Sequence, residues 1–323
     1  MVKLVVQIPC FNEQDALPAT LAQLPREIAG IDTVEWLIVD DGSTDDTVRV
    51  AREHGAENVV SLARNMGLAR AFMVGLEESL KRGADIVVNL DADNQYNAGD
   101  IERLVRPILT GEADYVIGAR PIAEIAHFSW LTKTLQRIGS WTVRLLSGLE
   151  IGDAPSGFRA LSRDAAYRLN VFNEFTYTLE TLIQAGNSNI RTVSVPVRVN
   201  DTTRPSRLFG SVSEYVVRSV GTILRFFILY RAFPFLLLIA IVLFSCGFLL
   251  GVRFLILNFV YGESGHVQSV MLAVLLMSIG FMTGLTGILA DLISVNRRLL
   301  EQVKHISRRM EHRLTDIEER NRP

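Results

Sequence analysis

Asp91 and Asp93 close the apolar run IVVNL, with only Ala92 between them. Residues i and i+2 of an extended segment point the same way, so both carboxylates face one side. Side by side at a strand end they repel each other unless a cation sits between them. Hard oxygen donors suit Mg²⁺ or Mn²⁺, which usually completes its shell with substrate phosphates. Gln95 lies two residues further on and brings a carbonyl oxygen to the same side. A solvated turn is the commoner source of such a pair. The reading as a site gains weight from a second acidic strand end, Asp40-Asp41-Gly42-Ser43. There Ser43 or Thr44 can cap a helix, and Asp45 and Asp46 suit its N-terminal dipole. Capping leaves Asp40 and Asp41 unexplained. A carboxylate at that point can accept hydrogen bonds from a base N–H or a ribose hydroxyl.

These groups need a frame that collects strand ends. KLVVQIP, EWLIVDD, NVVSLA, ADIVVNLD and DYVIGAR read as strands. Helix-length amphipathic stretches lie between them at 15–28, 44–54, 67–82 and 98–109. Apolar strands broken by helices argue for a largely parallel sheet covered on both faces. Ligands of such sheets bind at the C-terminal strand ends. The polar clusters PCFNE, DDGSTDDT and DADNQ all fall there.

The chain has 323 residues, 49% hydrophobic, and a formal net charge of −2. This composition excludes a disordered chain. The balance of 33 basic and 35 acidic residues argues against a nucleic-acid partner. Two cysteines exclude a disulfide scaffold, and Cys10 and Cys246 are expected as reduced thiols. The mean hydropathy of +0.24 is high for a soluble domain, and the excess is local. Residues 232–252 and 267–290 carry no charge, and each is long enough to cross a hydrocarbon core as a helix. Arg218, Arg225 and Arg231 precede the first span, and Arg297, Arg298 and Lys304 follow the second. The positive-inside bias then puts the N-terminal domain and both ends in the cytoplasm, since the N-terminal residues do not read as a secretory signal.

The expected organisation is a domain over 1–210 and a juxtamembrane helix over 211–231. Spans at 232–257 and 267–293 follow, then an amphipathic helix over 295–320. A stretch at 128–149, with Trp130 and Trp141 beside basic residues, suits a membrane surface or the sheet. Gly280 and Gly284 have the spacing of a transmembrane dimerisation face.

IPCFNE, VDDGSTDDT, NMGLARA, DADNQ, GAR and DAPSGFRA, in this order, resemble the family-two glycosyltransferases of GT-A fold. With two C-terminal spans, the chain is most similar to the polyprenyl-phosphate branch. That branch includes dolichyl-phosphate mannose synthase and bacterial undecaprenyl-phosphate glucosyltransferases. The resemblance implies a UDP- or GDP-sugar donor held by Pro9, Phe11, Glu13 and Asp41. It implies a Mg²⁺ or Mn²⁺ site at Asp91, Asp93 and Gln95, with Arg120 near the phosphates. Asp153 then stands beside the acceptor, as a base or an orienting group. Relatives commonly end the domain with an Arg and then Gly-x-Ser-Lys. Here the segment reads TTRPSR, and Arg204 and Arg207 are the candidates for the acceptor phosphate.

The resemblance also implies a polyprenyl phosphate acceptor, residence in the cytoplasmic membrane, inversion at the anomeric carbon and a homo-oligomer, with a tetramer favoured. A polysaccharide synthase with a saccharide acceptor is one alternative, but no Q-x-x-R-W motif is present. A non-catalytic membrane-anchored sugar-nucleotide binder is the other, and the intact acidic set argues against it.

Overall fold

The computed structural model describes residues 1–121, 143–145, 147–171, 177–200, 212–260 and 267–320. The chain forms two compact units, Met1–Val220 with Lys304–Pro323, and Gly221–Val303.

In the first unit, β1 (Lys3–Cys10), α1 (Leu17–Ala22), β2 (Thr33–Asp40), α2 (Thr47–Glu53) and β3 (Asn58–Ser61) come first. They are followed by α3 (Leu68–Lys81), β4 (Ile86–Asn89), a 3₁₀ turn (Ala98–Asp100), α4 (Ile101–Leu109) and β5 (Tyr115–Ala119). Then come β6 (Arg159–Ser162), α5 (Arg163–Arg168), α6 (Thr178–Asn187) and β7 (Thr192–Pro196). The seven strands form one sheet in the order β3-β2-β1-β4-β6-β5-β7. Only β6 runs antiparallel to its neighbours. This is the mostly parallel, helix-flanked GT-A-like sheet that the motifs implied. All four residues of β4 are buried, and its first three read as a continuous apolar run, while Asn89 is a buried polar residue. One core layer holds Leu4, Val6, Ile8, Ile38 and Val88 on one face of the sheet. A second holds Val5, Leu37, Val39, Phe72 and Val87 on the other. β1 and β4 are parallel neighbours, so the loops leaving them share one sheet edge.

Several expected elements differ. The helix anticipated over 15–28 is only Leu17–Ala22, because Pro18 opens it and Pro25 disfavours helix just before itself. α2 begins at Thr47, with Asp46 in the N-cap position, so neither Ser43 nor Thr44 caps it. Those two residues instead bind the loop after β1. Strands β6 and β7 had no counterpart in the sequence reading. Of the stretch 128–149, only residues 143–145 and 147–149 are among the described residues.

The last two helices are α7 (Val212–Val260) and α8 (Val267–Arg320). Phe233–Val260 and Val267–Asn296 are long and apolar enough to cross a membrane, and only 11% and 17% of their most apolar stretches is buried. Leu249, Phe259 and Met271 are each more than 60% exposed. Helices of a soluble core would be covered on all sides.

The glycines of this hairpin correct the dimer argument. A Cβ on Gly280 would lie 2.8 Å from Phe244 N and 3.0 Å from Ala240 O. One on Gly247 would lie 2.8 Å from Ala273 O. Small residues do let the helices approach closely, but Gly247 and Gly280 serve contact between α7 and α8 of one chain. The 280/284 spacing therefore gives no support for an interface between chains.

Candidate functional site

Three loops leave the C-terminal ends of β1, β2 and β4. The first two are stitched together by side chain–backbone hydrogen bonds. Asn12 N donates to Ser43 Oγ at 2.9 Å, and Thr44 N donates to Asn12 Oδ1 at 2.8 Å. Glu13 N donates to Thr47 Oγ1 at 2.8 Å. Asn12 sits at φ 55°, a left-handed conformation that Asn tolerates better than most residues. Pro9 is buried, Glu13 is half-buried and Phe11 is 41% exposed, its ring available for contact.

Asp40 and Asp41 are both 3% exposed. Asp40 Oδ1 accepts from Ser43 N at 3.0 Å. Asp41 accepts through both oxygens, from Met66 N and Gly67 N, each at 2.8 Å. Its carboxylate therefore holds the turn that starts α3. Burial, followed by the charges of Glu13, Asp40 and Asp45, pushes the Cys10 thiol well above its ordinary range. Cys10 is consequently inert as a nucleophile.

The loop after β4 carries the paired carboxylates. Asp93 is exposed, and its Oδ1 accepts from Gln95 N at 3.1 Å. Asp91 is half-buried, and its carboxyl is pushed up to about 7 by burial and then by the Asp93 charge. Arg120 and Arg159 act in the opposite direction. Asn94, between the two acidic positions and Gln95, lies at φ 56°. Asn200 Nδ2 fixes that turn, donating to Asn94 O and Oδ1 at 3.1 Å and to Tyr96 O at 3.2 Å. Gln23 Nε2 also donates to Asn94 Oδ1 at 3.0 Å, and its Oε1 accepts from Asn200 Nδ2 at 3.1 Å.

The DAPSGF segment closes the site from β6. Asp153 is fully buried. It pairs with Arg120 through two contacts, Nε–Oδ2 at 2.6 Å and Nη2–Oδ1 at 3.0 Å. Arg120 N also donates to Asp153 Oδ2 at 3.2 Å. The Arg120 guanidinium lies 5.7 Å from the Tyr96 ring centroid. Burial, with Asp91 and Asp153 adding to it, pushes the Tyr96 phenol up to about 12. Tyr96 therefore stays neutral and accepts from Gly157 N at 3.1 Å. A Cβ on Gly157 would lie 2.3 Å from Asp91 Oδ2. Asp91, Arg120, Tyr96 and Asp153 thus form one cluster at the edge of the sheet. Arg204 and Arg207 lie outside the described residues.

The model for glycosyl transferase family 2 matches residues 5–169. The chain belongs to that family. This glycosyltransferase is 30% identical over 200 residues to the undecaprenyl-phosphate mannosyltransferase of Micrococcus luteus, covering 59% of this chain and 80% of that one. It is 27% identical over 304 residues to the undecaprenyl-phosphate 4-deoxy-4-formamido-L-arabinose transferase of Proteus mirabilis. That match covers 90% of this chain and 88% of the relative. Among solved structures, it is similar to glucosyl-3-phosphoglycerate synthase of Mycobacterium tuberculosis in complex with Mn²⁺, UDP and glucosyl-3-phosphoglycerate. The TM-score is 0.52 at 26% identity, with 69% of this chain and 80% of that one covered.

Two residues of the candidate site had no sequence signal strong enough to single them out. Asn200 lies more than a hundred positions from the loop it pins. Arg159 is the larger omission. It is fully buried, and its Nε and Nη2 donate to Ser156 O at 2.7 Å and Ala154 O at 2.8 Å. Its Nη1 donates to Thr178 O at 2.9 Å, to Thr181 Oγ1 at 2.8 Å and to the Tyr115 hydroxyl. The Tyr115 and Tyr177 ring centroids lie 5.7 and 5.6 Å from the guanidinium. Arg159 thereby ties the Asp153–Gly157 segment to β5 and α6. Arg159→Met removes the arginine's donors to the Ser156, Ala154 and Thr178 carbonyls and to the Thr181 and Tyr115 hydroxyls, at roughly 1–3 kcal/mol for each buried hydrogen bond lost, and removes the cost of the buried charge. The lost hydrogen bonds outweigh that relief. The expected net loss is about 3 kcal/mol, read as a lower melting temperature of the full chain in detergent.

Proposed function

We propose that this glycosyltransferase moves a sugar from a UDP- or GDP-sugar to a polyprenyl phosphate. The observation that carries this reading is the cluster of Asp91, Asp93, Arg120 and Asp153 at one sheet edge, in a chain with two membrane-length apolar helices. The relative matched over 90% of this chain, named for an undecaprenyl-phosphate acceptor, supports it.

The residues present fit a divalent cation. The charge of Asp93 helps to push the Asp91 carboxyl upward, and a cation between the two relieves that repulsion. No group of three or more His, Cys, Asp or Glu side chains forms a metal cage among the described residues. Mg²⁺ and Mn²⁺ need none, since one or two carboxylates and substrate phosphates suffice. Asp91, Asp93 and Gln95 would hold the ion. When bound, it supplies positive charge to the diphosphate as the glycosidic bond breaks.

The chain's own groups do the rest. Phe11 and Glu13 lie on the loop that faces the nucleotide, Pro9 lies near the end of β1 before it, and Asp41 acts beneath it. The Arg120 guanidinium presents positive charge to the departing diphosphate. A lipid phosphate oxygen attacks the anomeric carbon in line, and the configuration inverts. Arg204 and Arg207 are the proposed contacts of the acceptor phosphate. The two apolar helices anchor the enzyme in the cytoplasmic membrane, with the catalytic unit and both termini on the cytoplasmic side. A homo-oligomer, with a tetramer favoured, stays a proposal without the glycine argument.

Membranes containing the full chain, radiolabelled UDP- and GDP-sugars and undecaprenyl phosphate test this reading. The expected result is label in the organic phase with one donor, lost in excess EDTA and restored by Mn²⁺ or Mg²⁺. Label confined to water-soluble products would sink the acceptor assignment, and full activity in EDTA would sink the metal.

A further inference from the structure

Gln7 and Asn89 are polar side chains in the middle of a sheet buried on both faces. They lie directly opposite one another on the parallel strands β1 and β4, and neither is exposed to solvent. The core layer around them holds Val5, Leu37, Val39, Phe72 and Val87. A buried polar group costs stability unless its hydrogen bonds are made.

The Gly157 carbonyl sets the order of those bonds. It can only accept, so the end of the Asn89 amide that faces it is the nitrogen. Asn89 Nδ2 donates to Gly157 O and to the Tyr177 hydroxyl, each at 2.9 Å. The Tyr177 hydroxyl donates in turn to Gly157 O at 3.3 Å. Asn89 Oδ1 is left facing Gln7, so Gln7 presents its nitrogen. That nitrogen donates to Asn89 Oδ1 at 2.9 Å and to Phe72 O at 3.3 Å. Gln7 Oε1 then faces α3 where Gly75 makes room for it, since a Cβ on Gly75 would lie 2.7 Å away. There Oε1 is buried without a hydrogen-bond partner among the described residues. An unpaired buried acceptor is unfavourable, and an apolar pair of the same shape would avoid it. The core therefore keeps a donor relay that weakens the fold, and the relay ends on Gly157. Gly157 N donates to the Tyr96 hydroxyl at 3.1 Å, so the residue is held from both sides. Its Cα is packed so close to Asp91 that a Cβ would lie 2.3 Å from Oδ2.

We infer that Gln7 and Asn89 are positioning residues for the divalent cation: their ordered donors fix Gly157, and Gly157 confines the Asp91 carboxylate to its place in the Asp91–Asp93 pair. This rests on the metal site proposed above and deepens it. Both side chains are fully buried, so they act through Gly157 and not on substrate or cation.

The test measures Mn²⁺ binding to the full chain in detergent by electron paramagnetic resonance, with UDP and separately with GDP present. Gln7→Met and Asn89→Leu roughly keep the side-chain shape and remove the donors. Each should weaken Mn²⁺ binding by about 10-fold, the scale of a residue that supports a metal ligand. The double variant should bind no more weakly than Asn89→Leu alone, because the two act through one relay. Melting in EDTA separates positioning from folding. Asn89→Leu strands the Gln7 nitrogen, and adding Gln7→Met removes that stranded group, so the double variant should melt no lower than Asn89→Leu. In the transfer assay the Mn²⁺ concentration for half-maximal rate should rise by the same factor, with acceptor KM unchanged. The inference is overturned if folded variants bind Mn²⁺ as the wild type does, or if the two losses multiply in the double variant. Gln7→Met decides if Asn89→Leu does not fold. A wild-type chain that binds Mn²⁺ no better than Asp93→Ala would overturn the metal site itself, and this inference with it.

Discussion

Asp93→Ala should abolish transfer while leaving the protein folded. The expected fall in kcat/KM is about 10³-fold or more. Charge stabilisation at a phosphoryl oxygen amounts to several kcal/mol, and each 1.36 kcal/mol is a factor of ten. The effect on folding should be small, within about 0.5 kcal/mol, because Asp93 is exposed. Its loss also removes the charge that, after burial, helps to raise Asp91. A carboxyl raised in the folded state binds its proton more tightly there than in the unfolded chain. That contribution to stability is present at low pH and is lost as pH rises from about 4 through about 7. In the absence of divalent metal, the wild type should lose stability across that window, and Asp93→Ala should lose less. Thermal denaturation at several pH values, paired with the transfer assay, checks both halves. A variant that keeps substantial activity would remove Asp93 from the metal site.

The sheet was largely legible because β1 to β5 are apolar runs bounded by polar loops. That contrast follows from burial on both faces and exposure at the strand ends. β6 was not legible. It has four residues, RALS, and begins with an arginine. An arginine reads as surface, yet Arg159 is fully buried because carbonyls, hydroxyls and tyrosine rings surround it. Those partners come from β5, α6 and the loop before β6, and no local pattern announces them. β7 is short and ends in Pro196, which reads as loop. Within the candidate site, residue type and spacing pointed to Asp91 and Asp93, and the family resemblance to Arg120 and Asp153. Neither revealed that Asp153 and Arg120 engage each other, or that Asp41 is spent on the turn before α3. Small-residue spacing in the last two helices signalled a close contact but not its partner. The partner is the other helix of the same chain.

Gly157→Ala should cost nearly as much activity as losing a carboxylate. The added methyl would sit 2.3 Å from Asp91 Oδ2 and 2.7 Å from Oδ1, and one of the two residues must move. Gly157 is held on both sides. Its N–H donates to the Tyr96 hydroxyl at 3.1 Å, and its carbonyl accepts from Asn89 Nδ2 at 2.9 Å. Asn89 in turn is fixed by Gln7 at 2.9 Å and Tyr177 at 2.9 Å, inside the sheet. The Asp91 side chain stands half-exposed at the loop and has fewer ties, so it is the group that yields. Rotating away, it takes one of the two carboxylates out of the pair. A displacement of about 1 Å at a reacting centre costs on the order of 10²-fold, and overpacking adds roughly 1–3 kcal/mol of destabilisation. Weaker Mn²⁺ binding, measured by electron paramagnetic resonance or calorimetry, should accompany the drop in kcat. Gly157→Ala with wild-type Mn²⁺ affinity and wild-type transfer would show that the methyl is accommodated and that Asp91 is not confined by this segment.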